Sequence, residues 1–241
     1  MISYMGSKNK YAWRIVNKIR QLAHGDLLYD LCCGSGALSY YWPGKVIMVD
    51  AGPWGKFWRI ISENDPKDFA TNYDTDGLIY FLRQAEIEPV PEDDIEYALR
   101  FLLLQMASFN GKPVNDARKR WSHEGLITRT VTLNKWRDAW KHIFILKEKI
   151  HEAKRADVHK LSFDNANLYI DPDYESTTGY PYTLSIKRFV DDNCNNNNIF
   201  LSHHVPLSGI DWDQIYNVTG GHRSFARVNT ELLHIKLRSL P

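Results

Sequence analysis

Apolar and polar positions follow two periods along the chain. From Tyr11 to Leu22 the apolar residues Ile15, Val16, Ile19 and Leu22 fall at helical spacing. Leu27–Leu31 is a short apolar run bounded by turn residues, which predicts a strand. A glycine-containing loop follows, then a helix start at Ala37. Val46–Val49 predicts a second strand, ending on Asp50. From about Phe57 to Ile150 the pattern lengthens into helices, notably Ile95–Met106 and Leu133–Ile150, with a Gly/Pro/basic stretch between them. Strand signals return at Leu168–Ile170, Ile199–Ser202 and Leu232–Leu237. In the last of these Leu233, Ile235 and Leu237 alternate with His234 and Lys236, after Glu231. This predicts an α/β sheet with helices on both faces, its two halves separated by a mainly helical insertion too long for a crossover loop. The corresponding division is 1–56 and 158–241 for the sheet domain and 57–157 for the insertion. A segment grafted between the halves of a catalytic sheet commonly carries recognition.

Composition narrows the class. The 241 residues are 44% hydrophobic and 24% charged, an ordinary globular balance. No apolar stretch approaches the roughly 18–20 residues of a membrane span, and "MISYMGSKNKYAW" lacks the apolar core of a signal peptide. Three cysteines, two of them adjacent, make no disulfide framework. A cytoplasmic protein is expected. The net charge of +1 does not itself argue for nucleic acid, but Lys112, Arg118, Lys119, Arg120 and Arg129 cluster against only Asp116 and Glu124. No Cys/His spacing matches a zinc site, and no metal is expected.

Four short stretches carry candidate chemistry. "YDLCCGSGALS" (29–39) reads as strand, Gly34-Ser35-Gly36 turn, helix start. Glycines permit a tight turn and close approach of a ligand, and Asp50 stands at the end of the next strand, where a carboxylate can accept from ribose hydroxyls. The third glycine of the dinucleotide pattern is absent, Ser39 standing there. "YMGSKNK" (4–10) is a small-residue turn ending in Lys8, whose alternatives are an anion contact or an exposed tail. "ASFNGK" (107–112) carries an Asn-Gly turn signal, followed by a basic loop that is either solvated or in contact with phosphates. The sharpest is Asp171-Pro172-Asp173-Tyr174, two carboxylates and an aromatic ring where the Leu168–Ile170 strand ends. Ligands of open α/β sheets bind outside such strand ends.

Taken in this order, the pieces resemble the Dam-like N6-adenine DNA methyltransferases. "YMGSK" is similar to that family's N-terminal motif, "DLCCGSGALS" to its cofactor loop, "SFNG" to its Phe-Asn-Gly, and "VNTELLHIKL" to its closing strand. The resemblance implies a Rossmann-like methyltransferase sheet with an inserted target-recognition region. It also implies transfer of a methyl group from S-adenosylmethionine to N6 of a flipped-out adenine in double-stranded DNA. Carried onto this chain, it assigns Tyr4, Lys8, Asp30, Gly34, Gly36, Asp50 and Asp171 to the cofactor. Asp171, Pro172 and Tyr174 go to catalysis and the target base, and Asn110, Lys112, Arg118, Lys119, Arg120 and Arg129 to DNA. A monomer or weak dimer is expected, and a restriction partner, viral self-protection in a bacterial host and regulation all fit.

Two departures stand out. The family motif has a second proline where this chain has Asp173, which adds an N–H, flexibility and a second charge near Asp171. This keeps open a catalytically weakened or inactive DNA-binding relative. "AGPWGKFW" after Asp50 replaces a more polar turn, and Pro53 and Trp54 are expected to close over the cofactor's adenine ring. On the glycine loop and Asp50 alone, a dinucleotide-dependent oxidoreductase is a third reading, but it leaves Tyr4–Lys8 and Asp171–Tyr174 unexplained.

Overall fold

The computed structural model describes residues 8–69, 74, 76–77, 93–107, 131–172, 184–219 and 231–238. Among these, seven strands form one sheet: β1 (Leu28–Leu31), β2 (Val46–Asp50), β3 (Ile150–Arg155), β4 (Asn167–Ile170), β5 (Asn198–His203), β6 (Gln214–Asn217) and β7 (Leu232–Lys236). Their order is β3-β2-β1-β4-β5-β7-β6. The first five are mutually parallel, whereas β7 runs antiparallel to both β5 and β6. Among the described residues, the helices of four or more residues are α1 (Ala12–Arg20), α2 (Ala37–Tyr41), α3 (Pro53–Glu63), α4 (Asp94–Ala107), α5 (Leu133–Lys147) and α6 (Ile186–Asn193).

The central strands are apolar because both sheet faces are covered, as parallel sheets require. Alternation along each strand sorts the side chains between two cores. Met48, Tyr169, Phe200, Leu233 and Ile235 face one core, built with α1, α3, α4 and α5. Ile47, Val49, Leu168, Ile170, Ile199 and Leu201 face the other, with Val158 and with Phe189 and Val190 of α6. This is a Rossmann-like α/β sheet with helices on both faces.

The larger core is rich in aromatic rings. Trp54 meets Phe101 edge-on at 4.9 Å and stacks near Trp58 at 6.2 Å, while Trp136 and Trp140 cross at 5.7 Å. Trp54 is 3% exposed. It belongs to the packing between α3 and α4. Its apolar bulk finds more surface to bury among helices than at a loop.

Strands β3, β6 and β7 differ from the pattern reading, β6 being exposed at all four residues and giving no strand signal. β3 lies within 57–157, just past the Leu133–Ile150 helical pattern, where the sequence gives no strand signal, yet it pairs in parallel with β2 at the sheet's edge. Its sequence IHEAKR is mostly polar because an edge strand faces solvent on more sides. In β7 the residues that alternate with the apolar ones are also covered: His234 is 0% and Glu231, just before the strand, 7% exposed. A strand set between β5 and β6 has no free edge, and His234 accepts the Leu207 N–H instead.

Strand β2 and helix α3 join through a tight turn at which Gly55 passes against the backbone. A Cβ added there would stand 2.1 Å from the Asp50 carbonyl oxygen and 2.8 Å from the Arg155 Cα. Gly55→Ala is expected to cost about 1–3 kcal/mol or more by overpacking, lowering Tm by about 2–4 °C per kcal/mol. A thermal melt of the variant overlying that of the unaltered protein would contradict this packing.

Candidate functional site

The order of the sheet locates the site. The chain runs outward from β1 to β2 and β3, then returns to start again at β4 on β1's other side. The crevice beyond the carboxyl ends of β1 and β4 is the topological switch point, the usual ligand position in such sheets. β1 and β4 are in register, Leu31 opposite Ile170, and the Asp171 N–H reaches the Leu31 carbonyl at 3.5 Å. The turn after β1 and the Asp171-Pro172 pair after β4 therefore leave the sheet side by side.

The turn after β1 is held open from both sides. Gly34 and Gly36 have φ of +48° and +73°, and Cys32 +64°. Gly36 is the last residue before α2, and a Cβ there would meet Leu146 at 2.9 Å, Met48 at 3.0 Å and Trp58 at 3.1 Å. Both backbone angle and crowding demand glycine there. Trp58 of α3 donates its indole N–H to the Gly34 carbonyl at 2.7 Å, so the aromatic core grips the loop directly. From β2, Asp50 accepts the Gly34 N–H at 3.1 Å and the Gly52 N–H at 2.7 Å, one on each carboxylate oxygen. Each oxygen retains a further lone pair, and the residue is only half-buried.

Lys8 sits in a short 3-10 turn (Lys8–Lys10) leading into α1. It is 7% exposed, not the exposed tail lysine that the motif alone allows. Its Nζ stands 2.7 Å from Asp171 Oδ1 and 3.7 Å from Glu231 Oε1. Glu231 precedes β7 immediately, so this one cation ties together the beginning, the middle and the end of the described chain. Around it, Tyr169 and Ser202 share a hydrogen bond of 2.9 Å between their hydroxyls, and His203 closes β5.

Electrostatics follow from burying acids together. Burial pushes Asp30 up to about 7, opposed by the Ser39 hydroxyl that donates to it at 2.5 Å and reinforced by the charges of Asp171 and Asp50. Burial also raises Asp50, against the two backbone N–H groups it accepts. For Asp171 burial again acts upward, while Lys8 and His203 pull it back toward the charged form. Glu231 is raised to about 7 by burial, with Lys8 opposing and Asp171 adding to the rise. The site thus gathers four perturbed acids, two of which, Asp171 and Glu231, meet one buried lysine.

Lys8, Asp30, Gly34, Gly36, Asp50, Asp171 and Pro172 all fall at this crevice. Asp30 faces inward to Ser39 and is 1% exposed. Tyr4, Tyr174, Asp173, Asn110, Lys112, Arg118, Lys119, Arg120 and Arg129 lie outside the described residues. Glu231, Ser39 and His203 belong to the arrangement although the sequence does not mark them as site residues: Ser39 stands there only in place of the third glycine, and Glu231 looks like an ordinary polar residue beside a strand. Among the described residues no three His, Cys, Asp or Glu side chains stand where they could share a metal ion, and no helix is long and apolar enough to cross a membrane.

No protein-family model and no curated protein matches the chain. Among solved structures, it is similar to the rRNA methyltransferase AviRa from Streptomyces viridochromogenes. That similarity has a TM-score of 0.40 and 13% sequence identity, over 95% of this chain and 84% of that one. A likeness of this size adds no argument to what the sheet and the crevice show by themselves.

The buried acids make stability depend on pH. Asp30 titrates near 3.8 when unperturbed and near 7 in the fold, so the folded state keeps a proton that the unfolded chain has lost in between. Its contribution is full below about 4 and is lost as pH rises through about 7. His142, lowered to about 4 chiefly by burial, runs the opposite way. The informative quantity is therefore the difference between Asp30→Asn and the unaltered protein in urea unfolding. The variant should gain relative stability steadily from pH 4 to pH 8. Parallel stability curves across that range would show that Asp30 is not held as described.

Proposed function

We propose that this chain is an S-adenosylmethionine-dependent methyltransferase that modifies N6 of adenine in double-stranded DNA. The observation that carries the reading is the meeting, at the switch point, of the Gly34–Gly36 turn with Asp171, fixed by the 2.7 Å Lys8 ion pair. The residues fit a nucleoside-bearing methyl donor. The positive-φ turn leaves backbone open to a ligand, Asp50 keeps spare acceptor capacity beside it for ribose hydroxyls, and Lys8 supplies positive charge at the other end. Bound there, S-adenosylmethionine supplies an electrophilic methyl group on a sulfonium that departs as a neutral thioether.

The chain's own residues then have defined work. The exocyclic nitrogen of adenine is a poor nucleophile because its lone pair is delocalised into the ring. Asp171 accepts one N–H of that amine and the Pro172 carbonyl the other, drawing nitrogen toward tetrahedral geometry. Lys8 occupies Asp171 Oδ1. This orients the carboxylate, favours its ionised form against burial, and leaves Oδ2 for the substrate. When the N–C bond forms, the amine gives up one proton, and Asp171 is the adjacent acceptor. Tyr174, just beyond Pro172 in sequence, stacks on the extruded base; stacking of this kind is worth roughly 1–3 kcal/mol toward a flipping cost of a few kcal/mol. Positioning supplies most of the acceleration. The basic Lys112–Arg129 stretch, with Asn110, holds the duplex through its phosphates.

Asp173 favours a second reading, a relative that binds DNA with little or no transfer, because an added charge next to Asp171 raises the cost of ionising it. Asp173→Pro separates the two: a rise in transfer from near zero supports the weakened form.

Methylated nucleosides in DNA incubated with the protein and S-adenosylmethionine, read by mass spectrometry, test the first reading. N6-methyladenine should form, and Asp171→Asn should reduce its rate by about 10²-fold or more, as loss of a charged transition-state partner does elsewhere. Tyr174→Ala should weaken base capture while leaving donor affinity by calorimetry close to unaltered. Undiminished transfer by Asp171→Asn would refute its role, and failure to bind the donor would refute the whole reading.

A further inference from the structure

Helix α1 and the edge strand β6 carry a feature that the switch-point crevice does not use. No Asp or Glu precedes Asp26, yet Lys8, Lys10, Arg14, Lys18 and Arg20 fall in that stretch, in a chain whose net charge is only +1. Lys8 turns inward. The other four reach the surface, and among the described residues none is paired with a carboxylate. Helix α6 shows the contrast: its exposed Lys187 and Arg188 are matched by Asp191 and Asp192 one turn on, the ordinary arrangement of a solvated face.

The cations are also organised. Arg14 and Lys18 stand one turn apart on α1, about 6 Å along its axis, and Lys10, in the 3-10 turn that leads into the helix, precedes Arg14 by four residues, so the three make a ladder of cations along the chain. Each is laid over an aromatic ring: Lys10 over Tyr11 at 5.3 Å, Arg14 over Trp13 at 5.2 Å and Lys18 over Tyr216 of β6 at 5.6 Å. Trp13 is 46% and Tyr216 38% exposed. Arg14 also donates to the Val218 carbonyl at 3.1 Å, which fixes the end of β6 against the helix. The ladder starts two residues from Lys8, so it is continuous with the crevice.

We propose that this face, α1 with the adjoining edge of β6, is a second contact surface for nucleic acid, separate from the Lys112–Arg129 stretch. Lys10, Arg14 and Lys18 pair with successive backbone phosphates, and Trp13 and Tyr216 pack against sugar and base edges. The occupant is a nucleic-acid strand on charge complementarity: a polyanion supplies the carboxylate-free ladder with the partners that the protein withholds. A membrane surface is disfavoured, because the apolar side of α1 (Ile15, Val16 and Ile19, each 2% exposed or less) is spent on the core and leaves nothing to insert. The inference deepens the proposed function and rests on its nucleic-acid part, though not on methyl transfer.

The test measures binding of a fluorescent 20-base-pair duplex by anisotropy across a salt series. Lys10→Gln with Lys18→Gln should make the slope of log K against log salt shallower by about 1.8, at about 0.9 for each phosphate no longer neutralised, and weaken binding at 0.15 M salt by about tenfold. Adding Arg14→Gln should take the slope change to about 2.7. Lys187→Gln with Arg188→Gln serves as the control and should change neither quantity. Circular dichroism melts confirm folding; the double variant, which leaves the Arg14 tether intact, keeps the test valid if the triple one unfolds. Duplex binding by the unaltered protein with slope and affinity unchanged in the double variant overturns this surface alone. No duplex binding by the unaltered protein overturns it together with the DNA reading. Loss of binding to anionic phosphatidylserine vesicles, with duplex binding intact, assigns the ladder to lipid and overturns it as well.

Discussion

The buried pairing of Lys8 with Asp171, and more distantly with Glu231, is the constraint on which the site depends. Burying a lysine is costly unless it meets opposite charge, and two acids buried together are costly unless they meet a cation. Each of these three residues is made more tolerable by the others, with His203 adding its charge beside Asp171. They come from before α1, after β4 and before β7, so the electrostatic requirement doubles as a topological one. Breaking a buried pair by removing one partner typically costs about 3–5 kcal/mol. Here such a change would loosen the crevice from three directions at once.

Around that pair the fold works as a frame. The return of the chain to β1's other side puts the ends of β1 and β4 next to one another, and helix α3 translates core packing into loop geometry through the Trp58 to Gly34 hydrogen bond. Asp50 does similar work from β2, spending one hydrogen bond of each oxygen on backbone N–H groups of Gly34 and Gly52. The carboxylate that the sequence marks as a ligand contact is thus also part of the scaffold that shapes the turn. A site built on such rigid elements needs little rearrangement to receive a ligand.

Much of this is legible in the amino-acid sequence. The apolar runs of β1, β2, β4 and β5 announce strands covered on both faces, and the carboxylates that end β2 and follow β4 mark the working edge. Lys8 is legible only in combination with the other motifs, because nothing local distinguishes a lysine that folds inward from one in a tail. Strand β3 is hidden by its polar composition directly after a long helix, and β6, exposed at all four residues, shows no alternation to read. Glu231 escapes for a related reason: a glutamate beside an alternating strand looks solvent-facing, and only the placement of β7 inside the sheet buries it. Local pattern reports which residues can share a face; it does not report which distant charges will need one another.

The central claim is that the glycine turn and the Asp171 corner line a single hollow. Titration of isotopically labelled protein with S-adenosylhomocysteine, followed by amide NMR, tests it most directly. The account predicts that the amides of Gly34, Gly36, Gly52 and Asp171 shift together and saturate with one dissociation constant. Saturation of the Gly34–Gly36 signals while Asp171 stays unmoved, or shifts gathered elsewhere on the sheet, would contradict it.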